Sequence, residues 1–371
     1  MSERTRIAIA SPGIGLVQRG YERYFQDIFN LVKDDLDITL FKGGGPASDR
    51  EKVLMFAYRN GPLPRLFPVH RLFRRTPHHT ECMTFALALL RHIAAGGYDI
   101  VHTIDPPLTR VLYKLRGLLG MKFRLLYTEG CTINPKDSPP SDHIHHVSKV
   151  PYDGAIAYGI PPEKMTLLPC GIDSSKFRVG RSRAELRREY GVAEDKFVIL
   201  CVAAISRDHK RVDHLVREAA GLEGDFLVWL DGSLDHGDPG ILDEARELLG
   251  DRCRITHVES GKVGELYAMA DVMAHPSFFE SFGLSIVEAA STGLPVFTHD
   301  APHFRWLMPS TGSHVDMSRQ GVLASRLSDV MRDRTLLEPL RCPEEVIRRY
   351  DWKNLKESYL GLYGRMAGME L

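Results

Sequence analysis

The chain of 371 residues predicts an α/β protein built of two doubly wound, Rossmann-like domains facing a central cleft. Three observations point there. Short apolar, β-branched runs alternate with segments of helical periodicity, and such continuous runs belong to parallel sheets covered on both faces. The rhythm occurs twice in series. The length also exceeds the roughly 250–300 residues at which one hydrophobic core stops growing.

In the first half the strand candidates are "RIAIA" (Arg6 to Ala10), "DITLF" (Asp37 to Phe41), "DIVHTI" (Asp99 to Ile104) and "FRLLYT" (Phe123 to Thr128). The second half offers "FVILCVA" (Phe197 to Ala203), "DFLVWLDG" (Asp225 to Gly232), "RCRITHV" (Arg252 to Val258), "VMAHPS" (Val272 to Ser277) and "LPVFTH" (Leu294 to His299). Helical segments lie between them, as in "VDHLVREAAGLEG" after Arg211 and "VGELYAMA" from Val263. The seam falls near Pro169–Asp173, where a Pro-Pro pair, a short strand and a Pro-Cys-Gly-Ile-Asp turn precede a charged helix. The expected domains are therefore 1–170 and 171–350. An amphipathic helix from Asp351 to Gly368, within the tail 351–371, is expected to pack back on the first domain.

Composition narrows the function. The chain carries 48 basic and 48 acidic residues, which argues against a dedicated nucleic-acid binder. No apolar run approaches the roughly 18 residues of a membrane span, and the opening residues lack a secretory apolar segment. The six cysteines are scattered without a Cys-x-x-Cys pair and read as reduced, mostly buried thiols of a cytoplasmic protein. Charge is uneven across the seam: residues 1–170 hold 22 basic and 16 acidic side chains (net +6), residues 171–371 hold 26 and 32 (net −6). Most of the basic excess lies in the acid-free stretch Lys52 to Thr80, with Arg59, Arg65, Arg71, Arg74 and Arg75 interleaved with Leu66, Phe67, Leu72 and Phe73. That stretch is either a solvated basic loop or a surface for anionic headgroups or an anionic acceptor, which would place the protein peripherally on the inner face of a membrane.

The most informative segment is "HPSFFESFGLSIVEAASTGLPVF", His275 to Phe297, with two acids eight residues apart, Glu280 and Glu288. "GLSIVEAASTG" predicts a helix ended by Gly293. The amides from Phe282 through Gly283 and Leu284 to Ser285 then lie at a helix N-terminus suited to an electronegative ligand, and Gly283 has no side chain to hold that ligand away. Glu288, about one turn into the helix, can accept both hydroxyls of a vicinal diol. Glu280 faces the same cavity from the strand end. Two carboxylates around such a helix start describe a nucleotide-sugar site.

These residues resemble the E-x7-E motif of the retaining glycosyltransferases of family 4, which have the GT-B fold. The likeness extends in the family's order from Arg6 to Tyr363. "QRGYERYFQDI" resembles the "GG(V/I)E" loop and helix. "LLPCGIDSSKF" resembles the "PNG(V/I)D…F" entry to the second domain. "VAAISRDHKRVDHLV" resembles the "GR…KG…L" segment, and "GELYAMADVMAHPS" the "L…ADV…PS" run.

The resemblance implies a metal-independent glycosyltransferase (EC 2.4) that moves a sugar from a nucleotide diphosphate, UDP- or GDP-linked, to a hydroxyl acceptor with retention. The acceptor would be lipid-linked, a glycan or a small molecule, and would enter from the first domain. The leaving phosphate would deprotonate it. No cofactor is implied. In the family an Arg and a Lys contact the diphosphate. Lys210 aligns with that Lys, but Ile205 stands at the Arg position, so Arg207 is the candidate substitute; Arg211 occupies a usual Gly position and serves elsewhere. Glu280, Lys210 and Arg207 form the catalytic set. Glu288, Phe282, Gly283, Leu284, Ser285, Gly20 and Val258 form the donor-binding set.

On the acceptor side stand Gly15, in a loop made flexible by Gly13 and Gly15, and Glu129. Glu129 occupies a position where the family often has His, and would bind acceptor, act as a base, or do neither. "SPGIGLVQRG" lacks the G-x-G-x-x-G spacing of a dinucleotide site. His143, His145 and His146 lack a Cys or carboxylate at ligand spacing, which argues against a metal; the resemblance implies that this segment is interior chain leading to the seam. Two other readings stay open: another GT-B chemistry such as a nucleotide-sugar epimerase or phosphorylase, or a catalytically silent nucleotide-sugar binder.

Overall fold

Most strands of the sheet interiors fall where apolar residues predominate, because a strand between two helical layers has no solvated face to which polar residues could alternate. The computed structural model describes residues 5–17, 20–61, 76–130, 134–234, 240–308 and 312–368. The chain divides into two units, Met1–Cys170 with Leu355–Leu371, and Gly171–Asn354.

The first unit contains β1 (Arg6–Ser11), β2 (Asp37–Lys42), β3 (Glu51–Val53), β4 (Ile100–Thr103), β5 (Arg124–Glu129), β6 (His143–His146) and β7 (Met165–Leu167). They form one sheet in the order β3-β2-β1-β4-β5-β6-β7, parallel throughout, with Ile7 opposite both Ile38 and Ile100. Helices Pro77–Gly96 and Pro106–Leu118 bury Phe85, Leu89, Ile93, Leu108 and Leu112 against Ala8, Ala10 and Phe41. Thr76 caps the longer helix from the extended region and Gly97, in the left-handed region, ends it.

Helix Trp352–Ala367 completes this unit from Leu355 onward. Its Tyr359 hydroxyl bonds the Tyr24 hydroxyl at 2.8 Å and donates to the Pro169 carbonyl at 2.9 Å. Its Tyr363 hydroxyl pairs with His102 Nδ1 at 2.8 Å. His102 Nε2 and His145 Nδ1 share the Thr128 hydroxyl (2.6 and 2.9 Å), and His145 Nε2 meets the Leu168 carbonyl at 2.8 Å. The histidine-rich segment, read above as interior chain, is thus the buried strand β6. Burial holds His102 well below the usual histidine range and brings His145 down to about 3. No group of three or more potential metal-ligating side chains occurs among the described residues.

The second unit contains β8 (Phe197–Val202), β9 (Phe226–Asp231), β10 (Cys253–Thr256), β11 (Val272–His275), β12 (Val296–His299) and β13 (Gly312–Val315) in the parallel order β10-β9-β8-β11-β12-β13. Its core gathers Ile199, Cys201, Val228, Leu230, Ala274 and Phe297 against Leu215, Val216 and Ala219 of helix Val212–Ala220. Helix Arg183–Glu189 starts with a Ser182/Glu185 capping box. Buried Arg187 donates to Asp271 at 2.9 Å, pinning that helix to the base of the sheet.

Both sheets are doubly wound. The strand order reverses between β1 and β4 in the first and between β8 and β11 in the second. In open parallel sheets the crevice outside the carboxyl ends at such a reversal is where ligands bind. No described helix is long and apolar enough to cross a membrane. Residues 62–75 of the basic stretch between Lys52 and Thr80 lie outside the described residues, among them Arg65, Arg71, Arg74 and Arg75.

Candidate functional site

At the second unit's reversal point, the loop after β8 and the loop after β11 meet. The first delivers Lys210 and the second Glu280. Lys210 Nζ donates to both Glu280 oxygens, at 2.6 and 2.7 Å. His275, the last residue of β11, directs Nε2 to Glu280 Oε1 at 2.8 Å; a carboxylate only accepts, so the ring carries its proton on that nitrogen. Ser277 Oγ lies 3.3 Å from the same nitrogen. Glu280 is only 7% exposed. Burial pushes its carboxyl upward, but the His275 hydrogen bond and charge, joined by Lys210, outweigh it and hold the group well below the usual carboxylate range.

Helix Leu284–Ser291 starts directly after this loop. Gly283 sits before it at φ 101°, a left-handed conformation that suits glycine, and no side chain caps the terminus. The first backbone acceptances reach Ile286 and Val287 from the Gly283 carbonyl, so the Leu284 and Ser285 amides have no helical acceptor. Phe282 is buried, with its ring edge-on to Tyr350, and its carbonyl accepts from His303 Nε2 at 3.0 Å. Glu288, 6% exposed, accepts from the Tyr267 hydroxyl at 3.2 Å. The motifs of the sequence single out neither His275 nor Tyr267. His275 sits in the quoted "HPS" string, yet nothing in its spacing marks it as the partner of an acid five residues on.

The remaining candidates are dispersed. Arg207 pairs with Glu244 and lies 3.8 Å from Asp213. Val258 follows β10, two strands from β8, and its amide donates to Asp231 Oδ1 at 2.9 Å.

In the first unit, Gly20 opens helix Gly20–Val32 and is exposed. Gly15 has φ 81°, and a β-carbon there would strike the Gly44 carbonyl. The Gly43 and Gly44 amides donate to the Ile14 carbonyl at 3.1 and 3.0 Å. At Gly15 the missing side chain thus permits close backbone packing against Gly44. Glu129 ends β5, is buried, and lies 3.1 Å from His146 Nδ1 on the neighbouring strand.

With this geometry in place, known proteins supply the context. Residues 182–342 match the family described as glycosyl transferases group 1. The alpha-galactosylglucosyldiacylglycerol synthase of Streptococcus pneumoniae is 21% identical over 235 residues, 62% of this chain and 62% of that protein. The chain thus spans less than two thirds of the length of the curated relatives it matches.

Among solved structures, sucrose-phosphate synthase from Thermosynechococcus elongatus superimposes with a TM-score of 0.78 at 20% identity, over 98% of this chain and all of that one. The Anabaena HepE structure in complex with UDP-glucose gives 0.76 at 16% identity, over 98% and 100%. These neighbours are GT-B glycosyltransferases, and the chain shares their fold of two parallel-sheet, Rossmann-like domains. The ion pair of Lys210 and Glu280 and the helix that bears Glu288 lie within the residues that match the group 1 family.

Proposed function

We propose that this protein is a retaining glycosyltransferase that moves a sugar from a nucleotide diphosphate, UDP- or GDP-linked, to a hydroxyl acceptor. The observation that carries this reading is the Lys210–Glu280 ion pair at the carboxyl-end reversal of a parallel sheet, beside an uncapped helix N-terminus. An ammonium has three donors, and two go to Glu280, leaving the third for the departing diphosphate. The Leu284 and Ser285 amides add neutral donors to the same developing charge. Glu288 holds the ribose diol, and Glu280 the transferred sugar. Arg207 joins the diphosphate on release from Glu244. Gly20 and Val258 are further donor contacts.

The acceptor is assigned to the first unit, near Gly15 and Glu129. The leaving phosphate takes the acceptor's proton, which needs neither an enzymic nucleophile nor a metal. The balanced charge and the five described cysteines, all free, support a cytoplasmic setting. The basic stretch 52–80 supports peripheral contact with anionic lipid, checked by co-sedimentation with anionic vesicles at low and high salt.

The functional test is a thermal-shift screen of UDP, GDP, ADP and TDP, followed by transfer assays with the conjugates of any nucleotide that raises the melting temperature. A nucleotide that binds without turnover of any sugar conjugate would favour a silent binder. Sugar interconversion without an acceptor would favour an epimerase.

A further inference from the structure

Among the described residues, Arg211 is the one non-glycine with positive φ: φ 50°, ψ 38°. A β-carbon in the left-handed region costs energy that glycine avoids, and such a residue persists only where its surroundings hold it. The holding groups are visible. The Arg211 guanidinium donates to the Pro276 carbonyl at 3.2 Å and to the Met317 carbonyl at 3.1 Å. Its Cζ sits 3.5 Å from the centre of the Phe278 ring, whose other neighbour is the His299 ring at 4.8 Å. Met317 in turn donates its amide to His299 Nδ1 at 3.2 Å. One side chain therefore ties together the segments that follow β8, β11 and β13 and the end of β12.

The geometry points to Arg211 as a positioning residue: its guanidinium fastens the Pro276–Glu280 loop to the turn that carries Lys210, so that Lys210 and Glu280 meet at a fixed distance. The loop runs from Pro276, whose carbonyl is held, through Phe278, whose face is covered, to Glu280, whose carboxylate receives Lys210. Lys210 directly precedes Arg211, so the left-handed turn sets the direction in which its side chain leaves the backbone. A planar guanidinium can stack on a ring and serve two carbonyls at once; an ammonium cannot reproduce that geometry. The inference rests on the glycosyltransferase reading for its kinetic consequence, but not for the clamp itself.

The test uses the full chain and two variants, Arg211→Gly and Arg211→Lys. Arg211→Gly removes the clamp while relieving the backbone, so the melting temperature should change little, whereas a purely structural arginine would lower it. Hydrogen exchange of peptides covering residues 276–283 should speed up by about ten-fold. With a nucleotide sugar that the wild type turns over, kcat should fall by about ten-fold or more with KM changed far less, because the misplaced groups act on the transition state. Millimolar guanidinium ion should restore part of the lost rate in Arg211→Gly. Arg211→Lys should show faster exchange and lower kcat as well. An Arg211→Gly protein whose loop exchanges like wild type overturns the clamp. One whose loop exchanges faster with kcat intact overturns the positioning role. If the wild type turns over no nucleotide sugar, the proposed function fails, and the exchange measurement alone decides the clamp.

Discussion

Removing the Lys210 ammonium should strand a buried carboxylate, and the size of the effect follows from the contacts. Lys210 donates to both oxygens of Glu280 at 2.6 and 2.7 Å, and the two side chains are 18% and 7% exposed. Breaking a fully buried pair by deleting one partner costs about 3–5 kcal/mol, and hydrogen bonds to charged groups contribute about 1.5–3 kcal/mol. Lys210 keeps some solvent and His275 still serves Glu280, so the lower range applies. A double-mutant cycle of Lys210→Met and Glu280→Gln should give a coupling energy of about 1.5–3 kcal/mol. The assay is urea denaturation followed by tryptophan fluorescence. All three tryptophans, Trp229, Trp306 and Trp352, lie in the second unit, so the signal reports the unit that holds the pair.

The same pair has a pH signature. The folded-state pKa of Glu280 is depressed, so its contribution is complete above the ordinary carboxylate pKa and is lost as pH falls toward the depressed value. Lys210→Met should therefore flatten the acid limb of the stability profile. Single variants whose effects add within about 0.5 kcal/mol, with an unchanged acid limb, would refute the coupling.

Glu288→Ala should weaken nucleotide-sugar binding by about 1.5–3 kcal/mol in calorimetry, and unchanged affinity would remove Glu288 from the ribose role. Transfer should persist in excess chelator; a strict divalent-metal requirement would contradict the metal-free scheme. Gly15→Ala should destabilise by about 1–3 kcal/mol, since it forces a β-carbon into the left-handed region against the Gly44 carbonyl. Because burial lowers the pKa of His145 to about 3 and of His143 to about 4, the unfolded chain binds more protons below about pH 6.5. First-unit stability, followed by exchange of β5 and β6 amides, should therefore fall as pH drops from neutral toward 4.

Several strands in the interior of each sheet were legible because apolar residues dominate them: "RIAIA", "DIVHTI", "FVILCVA" and "LPVFTH" all hold strands. Strand β6 carries no such run. "HIHH" looks polar, and it is buried only because His145 finds Thr128 on β5 and the Leu168 carbonyl beyond β7, partners 17 and 23 residues away. The three-residue β3 is an edge strand whose Lys52 and Val53 are exposed, and so lacks the apolar run that marks the others. At the site, the acids and Lys210 could be singled out from motif order, but His275, Tyr267 and the Arg211 clamp could not. Each works through a contact made only when separate loops converge. The Gly-to-Arg departure at position 211 was visible in the letters; the Phe278 ring that compensates for it was not.

The helix from Trp352 to Ala367 has a consequence for how the protein is made. Tyr24, His102 and the Pro169 carbonyl belong to segments that leave the ribosome early, yet their partners Tyr359 and Tyr363 are translated some 190 to 335 residues later. The intervening chain includes everything the second unit needs for its own sheet. The nascent first unit is therefore left with an apolar groove and unmet polar groups while the second is synthesised and folds. Maturation order is the reverse of chain order, and the vulnerable interval, when a chaperone or a protease would find the first unit open, ends only when Tyr359 and Tyr363 arrive.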